Sequence, residues 1–167
     1  MKKILFTALL AGGLHSAYLS AQAGYVGIGT DSPGSKLTVN GAFAANYRSV
    51  TTGGLVGADD YYLAYSANTN GTLTLPAGIS GSGNFMGRTY HFKNTGSAVL
   101  RIAANGTELI DNQSGAGVSF VDIPAGYYGF FISKGTLTGT TWELILLSNS
   151  NSLPAASSNY VFSTVPT

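Results

Sequence analysis

The sequence predicts an all-β protein, and three observations support this prediction. Beyond the N-terminal region, no segment repeats its apolar residues at the helical period of about 3.6. Short runs of β-branched and aromatic residues alternate instead with Gly, Asn, Asp and Pro. Many short strands at this spacing are typical of an antiparallel β-sandwich or jelly-roll-like domain. We expect such a domain, preceded by a short Gly-rich β segment.

The chain begins with the features of a secretory signal peptide, predicted over residues 1–23. Two lysines precede an apolar run at Ile4–Leu10, and Ala21–Ala23 fits a small-residue cleavage site. Cleavage after Ala23 leaves 167 − 23 = 144 residues, and cleavage after Ala21 is the alternative. The run is shorter than the ~20 residues of a membrane-spanning helix, and the absence of cysteine excludes a lipidated cysteine. We expect an exported protein without a membrane span, located outside the cell, at its surface or in the periplasm.

The chain carries unusually little charge for a soluble protein. Charged residues make up 9% of it, against about 25% in an average domain. The net charge of +1 offers no electrostatic basis for binding nucleic acid or an anionic membrane. Because 44% of the residues are hydrophobic, either small polar residues cover the surface or part of it is hidden in an oligomer.

After the signal peptide, the sequence divides into three parts. Residues 24–58 form a Gly-rich segment followed by a loose connector at Ala42–Ala58, and residues 59–148 form the β domain. Residues 149–167 form a C-terminal tail that ends in Tyr160–Val165, a final strand or a docking peptide.

Alternating segments predict the strands of the β domain. Arg88–Lys93 is the clearest case, with Tyr90 and Phe92 inward and His91 outward. Further strands are predicted at Asp60–Ala67, Thr72–Leu75, Val99–Ala103, Glu108–Asp111, Val118–Ile123, Tyr127–Ser133 and Thr141–Leu147. Turns are predicted at Asn70-Gly71 and Asn105-Gly106, both interpreted as hairpins, and at Asn94–Gly96 and Lys134-Gly135.

Two of these strands are apolar on both faces. Tyr127–Ile132 has no polar alternate, and the last strand carries Trp142, Leu144 and Leu146 on one face with Ile145 and Leu147 on the other. A strand in a two-layer sandwich buries one face. The other face therefore needs a cover, either the chain's own loops and tail or a second subunit.

The sequence predicts no catalytic, cofactor or metal site, and we expect no enzyme. His91 is the only histidine after signal removal, so one chain cannot supply the common zinc-ligand sets, although three copies of His91 around a threefold axis could bind a metal. The seven acids show no spacing that favours a facing pair; they are Asp31, Asp59, Asp60, Glu108, Asp111, Asp122 and Glu143. Gly27-Ile28-Gly29 lacks the third glycine and the following helix of a dinucleotide loop.

The Gly-rich segment contains Val26–Thr30, then Pro33, then Leu37–Gly41. This sequence motif resembles a recurrent element of trimeric fibre proteins, which is found in phage tail fibres and in exported surface proteins of some Gram-negative bacteria. The resemblance implies an assembly element whose strand pairs between chains. Its candidate interface residues are Val26, Ile28, Leu37 and Val39.

A second resemblance covers the β domain. The ordered motifs are Asp60–Leu63, Gly71–Pro76, Gly87–Lys93, Arg101-Ile102, Glu108–Asp111 and Thr141–Leu144. The series is similar to the β domain at the receptor-facing end of many tail fibres, although Thr138–Thr141 stands where that family more often has Asp-Gly before the Trp. The resemblance implies a homotrimer around a threefold axis. Its candidate subunit contacts are Phe130, Ile132, Ile145 and Leu147.

These inferences predict an exported, phage-related, non-enzymatic module of the fibre-tip or adhesin type, which assembles as a homotrimer and binds a cell-surface glycan or protein receptor. Its candidate contact residues lie in loops rich in residues that adapt their hydrogen bonds: Asn68, Asn70, Asn84, Phe85, Asn112 and Gln113. One alternative is a structural subunit of an extracellular filament or surface layer that assembles through Tyr160–Val165. A second is a secreted carbohydrate-active or lectin-like domain.

Overall fold

The structure, a computed structural model, describes residues 19–22, 24–80, 83–113 and 115–149. Every regular element within these residues is a β-strand, which confirms the all-β prediction. The chain divides into two compact units after Ala44. Most of the predicted signal peptide and all of the predicted C-terminal strand Tyr160–Val165 lie outside the described residues.

The first unit is a three-stranded sheet in the order β1 (Leu19–Gln22), β2 (Tyr25–Ile28), β3 (Leu37–Val39). β1, which falls within the predicted signal peptide, pairs antiparallel with β2, and β3 pairs parallel with β2. The predicted strand at β3 is therefore present, and it pairs with β2 of the same chain. Glycine is needed here, because a Cβ at Gly27 would collide with the Thr30 carbonyl oxygen and Gly29 has a φ of 70°.

The second unit contains two larger sheets and one hairpin. Its strands are β4 (Tyr47–Val50), β5 (Gly54–Leu55), β6 (Tyr62–Tyr65), β7 (Gly71–Thr74), β8 (Ile79–Ser80), β9 (Gly83–Asn84), β10 (Thr89–Asn94), β11 (Leu100–Ala103), β12 (Leu109–Asp111), β13 (Phe120–Ile123), β14 (Tyr127–Ser133) and β15 (Thr140–Asn149). The six-stranded sheet has the order β12-β15-β14-β10-β6-β4, and the four-stranded sheet has the order β13-β11-β7-β5. Every strand predicted between residues 60 and 147 is present. β4 and β5 add to these sheets from the segment predicted as a connector.

The chain alternates between the two sheets from β4 to β14, apart from the β8–β9 hairpin. As a result, β4, β6 and β10 pair in parallel in one sheet, and β5, β7 and β11 pair in parallel in the other. The predicted antiparallel arrangement is therefore wrong, and the sheets are mixed. The reason lies in the turns, because Asn70-Gly71, Asn94–Gly96 and Asn105-Gly106 connect strands of different sheets. The interpretation of Asn70-Gly71 and Asn105-Gly106 as hairpins is also wrong, whereas Lys134-Gly135 does join paired neighbours, β14 and β15.

One hydrophobic core draws on both sheets. Tyr90 and Phe92 of β10 are fully buried, which confirms their predicted inward direction. Trp142 is also fully buried, and its indole N–H donates to the Pro76 carbonyl oxygen at 3.2 Å. Because buried aromatic side chains contribute most of the area removed from water, these residues anchor the six-stranded sheet to the four-stranded sheet.

An ion pair ties β4 to the turn before β6. The Arg48 guanidinium donates to both carboxylate oxygens of Asp60, at 2.7 and 2.6 Å, and the Gly57 N–H donates to the same carboxylate at 2.8 Å. The Asp60 side chain is only 7% exposed. Burial alone would raise the pKa of Asp60, but the Arg48 and Gly57 hydrogen bonds outweigh it and hold the pKa below its usual value.

Candidate functional site

The predicted interface residues of the first unit are largely solvent-exposed. Val26, Ile28 and Leu37 are exposed, and Val39 is half-buried. A three-stranded sheet this small buries little apolar area by itself. Its apolar side chains therefore remain available for contact with another surface.

β14 is apolar on both of its faces, as predicted. Phe131 points into the core and is fully buried, whereas Phe130 and Ile132 are half-buried on the opposite face. We call the side of the six-stranded sheet that carries Phe130 and Ile132 its outer face.

β15 contains a bulge that the alternation pattern did not predict. Phe131 pairs with Leu144 and Phe130 pairs with Leu146, so Ile145 is the extra residue. Since directly paired residues share a face of the sheet, Leu146 lies on the outer face beside Phe130. The predicted placement of Leu146 on the face of Trp142 is therefore wrong. The predicted placement of Leu147 on the other face is wrong too, because Leu147 pairs with Gly129, which shares the inner face with Phe131. Ile145, Leu146 and Leu147 are 46%, 47% and 37% exposed.

The parallel register aligns aromatic residues across the outer face. Tyr47, Tyr62, His91 and Phe130 are successive partners on β4, β6, β10 and β14, and we call these four residues the outer row. Their rings stack in sequence, with centroid separations of 5.5 Å for Tyr47 and Tyr62, 6.3 Å for Tyr62 and His91, and 4.6 Å for His91 and Phe130. Only cross-strand register brings these residues together, so the linear sequence gave no signal for the row.

His91 lies at the centre of an aromatic cluster on this face. Its ring is 4.7 Å from the Tyr61 ring and stacks on Phe130, and its Nδ1 forms a hydrogen bond with the Tyr128 hydroxyl. The outward direction predicted for His91 is confirmed. Burial among these rings lowers the pKa of His91.

Two tyrosines of the cluster have raised pKa values. Burial raises the pKa of Tyr62, with a further contribution from Tyr47, and burial raises the pKa of Tyr128, with contributions from Tyr62 and Tyr61. Both phenols therefore remain protonated at neutral pH and can donate or accept hydrogen bonds. In the sequence, only the adjacent tyrosines Tyr61-Tyr62 and Tyr127-Tyr128 could have pointed to these two residues.

The outer row combines aromatic rings with hydroxyl groups. Its neighbouring rings are nearly parallel, with interplanar angles of 16° for Tyr47 and Tyr62, 15° for Tyr62 and His91, and 11° for His91 and Phe130. A strip of aromatic rings that also carries the Tyr47 and Tyr62 hydroxyl groups suits contact with another protein surface.

The predicted contact residues lie in the loop after β6, at the end of β9 and directly after it, and in the loop after β12. Asn68, Asn70, Asn84 and Gln113 are exposed, and Phe85 and Asn112 are half-buried. Asn70 and Asn84 also stabilise their own loops, because their side-chain oxygens accept hydrogen bonds from the backbone N–H groups of Val99 and Met86. Gln113 has a φ of 67°, an uncommon left-handed conformation for a residue other than glycine.

Four of the acidic residues have identified hydrogen-bond donors. Asp60 pairs with Arg48, Asp111 with Lys134, and Asp122 with Arg101. Glu108 accepts hydrogen bonds from the Gly78 N–H and the Thr141 hydroxyl. Across the part of the chain that the structure describes, no group of three or more His, Cys, Asp or Glu residues could hold a metal ion.

The described residues contain no helix that is long and apolar enough to span a membrane. Comparison of the chain with protein-family models, curated proteins and solved structures gives no significant match.

Proposed function

We propose that the chain is an exported, non-enzymatic module of the fibre-tip or adhesin type, which assembles as a homotrimer and contacts a cell-surface partner. The observation that supports this proposal is the cluster of aromatic and apolar side chains on the outer face of the six-stranded sheet, which also carries Lys93 and Glu143. It carries the outer row, Ile132 and the exposed Leu146, whereas the solvent face of an ordinary sheet is polar.

In this proposal, the two sheets form a sandwich or jelly-roll-like domain around their shared core. The aromatic and apolar cluster of the outer face is then a second hydrophobic patch of a chain whose charged residues make up only 9%. Packing the outer faces of three copies around a threefold axis would cover it. Burying one large apolar side chain stabilises by about 1.5–3 kcal/mol, and association costs about 4–15 kcal/mol. Phe130, Ile132 and Leu146 of each subunit would contribute this burial on the outer face, whereas Leu147 pairs with Gly129 and lies on the opposite face.

The first unit contributes a second assembly element. Cleavage after Ala23 removes β1, and cleavage after Ala21 removes most of it. Either cut frees the edge of β2 that β1 covers, and a strand from another chain can then pair there. The exposed Val26, Ile28 and Leu37 would be buried in the same step.

Surface contact is assigned to exposed polar and aromatic groups outside the trimer interface. Asn68 and Asn70 after β6, Asn84 at the end of β9 and Asn112 after β12 supply adaptable hydrogen bonds, as in other binding surfaces. A glycan array on the mature protein distinguishes glycan binding from a purely structural role, because a structural subunit binds no glycan on the array.

The oligomeric state tests the proposal directly. Light scattering on the mature chain, residues 24–167, is expected to give three times the monomer mass at micromolar concentration. Replacing Phe130 and Ile132 by Asn is expected to give monomers, because each change places an amide in an apolar interface. The matched control is Leu137→Asn, since Leu137 is apolar and 71% exposed but lies in the loop between β14 and β15. A wild-type monomer at micromolar concentration overturns the trimer.

A further inference from the structure

The solvent side of the four-stranded sheet carries a row of polar side chains. Leu100 and Ile102 of β11 are fully buried in the core, so Arg101 between them points to the opposite side, which we call the solvent face. Arg101 pairs with Thr72 of β7 and with Asp122 of β13. Because directly paired residues share a face of the sheet, the three polar side chains form one row across the solvent face.

This row and the turn before β7 form a pocket. The pocket has a volume of about 310 Å³ and is lined by Asn70, Gly71, Thr72, Val99, Arg101 and Asp122. Small-molecule sites are concave, begin at about 300 Å³ and contain a few convergent polar groups. The pocket therefore has the size of a site for one small ligand or for one unit of a larger ligand.

The Arg101 guanidinium is held in place by two neighbours. Its Nε and Nη2 donate to the two carboxylate oxygens of Asp122, at 2.8 and 2.9 Å. It also lies over the Phe120 ring, with Cζ 3.6 Å from the ring centroid. Since these contacts already order a long side chain, little of its conformational entropy remains to be lost when a ligand binds.

The Asn70 side chain is oriented as well. Its Oδ1 accepts a hydrogen bond from the Val99 N–H at 2.9 Å. This contact identifies the oxygen end of the amide and leaves the Nδ2 group as the donor. Asn70 thus adds N–H donors to the lining beside the charged pair.

The two charges of the pocket favour a neutral ligand. Arg101 is positive, and its hydrogen bonds hold the pKa of Asp122 below its usual value, so Asp122 is negative at neutral pH. An anion in the pocket would lie beside the carboxylate and a cation beside the guanidinium, which disfavours both.

The same pair suits adjacent hydroxyl groups. The guanidinium has further N–H donors besides the two that contact Asp122, and each carboxylate oxygen can accept a second hydrogen bond. One hydroxyl group of a ligand can then accept from Arg101 while its neighbour donates to Asp122. A sugar ring carries such vicinal hydroxyl groups without a net charge.

We propose that this pocket binds a neutral sugar unit through Arg101, Asp122 and Asn70. Arg101 and Asp122 bind two vicinal hydroxyl groups, and the Asn70 Nδ2 group donates to a further oxygen of the sugar. The inference rests on the proposed function and deepens it, because it assigns the contact with a cell-surface partner to one site and one class of ligand. The pocket lies on the four-stranded sheet, whereas the proposed trimer interface lies on the six-stranded sheet.

NMR titration of the isotope-labelled mature chain with the methyl glycosides of glucose, galactose and mannose tests the proposal. At least one glycoside is expected to shift the signals of Thr72, Arg101 and Asp122 saturably, with a dissociation constant in the millimolar range. Sodium acetate, a small anion, is expected to bind more weakly than that glycoside. The proposal is overturned if none of the three glycosides gives a saturable shift, or if acetate binds more tightly than all of them.

Two variants test the roles of the paired side chains. Arg101→Ala and Asp122→Asn are each expected to weaken glycoside binding at least about tenfold, because each removes a hydrogen bond between a charged group and the sugar. Asp122→Asn keeps the size of the side chain and serves if Arg101→Ala does not fold. The matched control is Asp111→Asn, which removes the carboxylate of another partly exposed ion pair, with Lys134, outside the pocket, and it is expected to bind like the wild type. Wild-type affinity in either pocket variant overturns the proposal.

Light scattering on the same samples separates this inference from the trimer. A monomer that binds a glycoside in the pocket supports the sugar site and overturns the trimer. A trimer that binds none of the three glycosides overturns the sugar site alone.

Discussion

Both faces of the six-stranded sheet carry large aromatic side chains, but the two faces differ in how completely these side chains are packed. On the inner face, Tyr90, Phe92, Phe131 and Trp142 are fully buried against the four-stranded sheet. On the outer face, the outer row stacks upon itself, with Tyr47 64% exposed at one end. Inner rings thus contact a second layer, whereas outer rings contact mainly one another.

This difference separates folding from assembly. A side chain that is buried within the chain stabilises the fold at any protein concentration, whereas a side chain that awaits a partner adds stability only when that partner is bound. Mutating two residues of the same type on opposite faces of one strand can therefore measure the contribution to folding and the contribution to assembly separately.

Phe131 and Phe130 form such a pair, and they give the largest expected effect. Phe131→Ala is expected to lower the free energy of unfolding by about 3–5 kcal/mol, because it leaves a cavity in the core. Phe130→Ala is expected to cost on the order of 1 kcal/mol in the monomer, since it removes a ring stacked on His91. Urea denaturation at several protein concentrations measures both values.

The dependence of these stability losses on protein concentration distinguishes the two faces further. The loss caused by Phe130→Ala is expected to grow as the protein assembles, and the loss caused by Phe131→Ala is not. Phe131→Leu serves as the milder control if the Ala variant does not fold, and it is expected to lose less because most of the volume remains. Equal losses for the two Ala variants, constant with concentration, would mean that both faces are packed within the chain.

The ion pairs extend the comparison to charged residues and give the next largest effect. Arg48→Ala is expected to cost about 1.5–3 kcal/mol, because it leaves the buried Asp60 carboxylate without its charged donor. The control is Arg101→Ala, which breaks a second bidentate pair, with Asp122, in which both side chains are at least 40% exposed. Its effect is expected to be much smaller, since water replaces the lost contacts. Thermal unfolding measures both losses of stability. A larger loss for Arg101→Ala than for Arg48→Ala would contradict the conclusion that Asp60 is the more deeply buried carboxylate.

Local structure could be predicted from the sequence because strand alternation and turn residues are local signals. β10 and β14 were predicted nearly to the residue, as were the inward directions of Tyr90 and Phe92. The strand partners could not be predicted. The turn at Asn70-Gly71 reverses the chain in the same way whether the next strand joins the same sheet or the opposite one.

The outer row shows why part of the site was also missed. Tyr47 lies in the segment predicted as a connector, and it becomes a neighbour of Tyr62 only through the parallel pairing of β4 and β6. The bulge at Ile145 likewise shifts Leu146 to the outer face without any break in the apolar run. Phe130 and Ile132 were identified because a strand without polar alternates is visible in the sequence itself.

The smallest expected effect is the pH dependence of stability that His91 causes from its position on the outer face. Burial lowers the pKa of His91 from its ordinary value of 6.5, so the unfolded chain takes up a proton at a higher pH than the folded chain. The contribution of neutral His91 to stability is therefore complete above about pH 6.5, and it is lost as the pH falls through the folded pKa. Thermal unfolding between pH 7.5 and about pH 4.5 is expected to show this decline.

His91→Gln removes the titrating group while it keeps a side chain that can hydrogen-bond to Tyr128, so the decline is expected to disappear in that variant. Asp60 does not act in this window, because its pKa lies below 3.8 and its contribution is lost only in stronger acid. If other copies cover the outer face, His91 is desolvated further and the decline becomes steeper with protein concentration. The same decline in wild type and His91→Gln would assign it to another group.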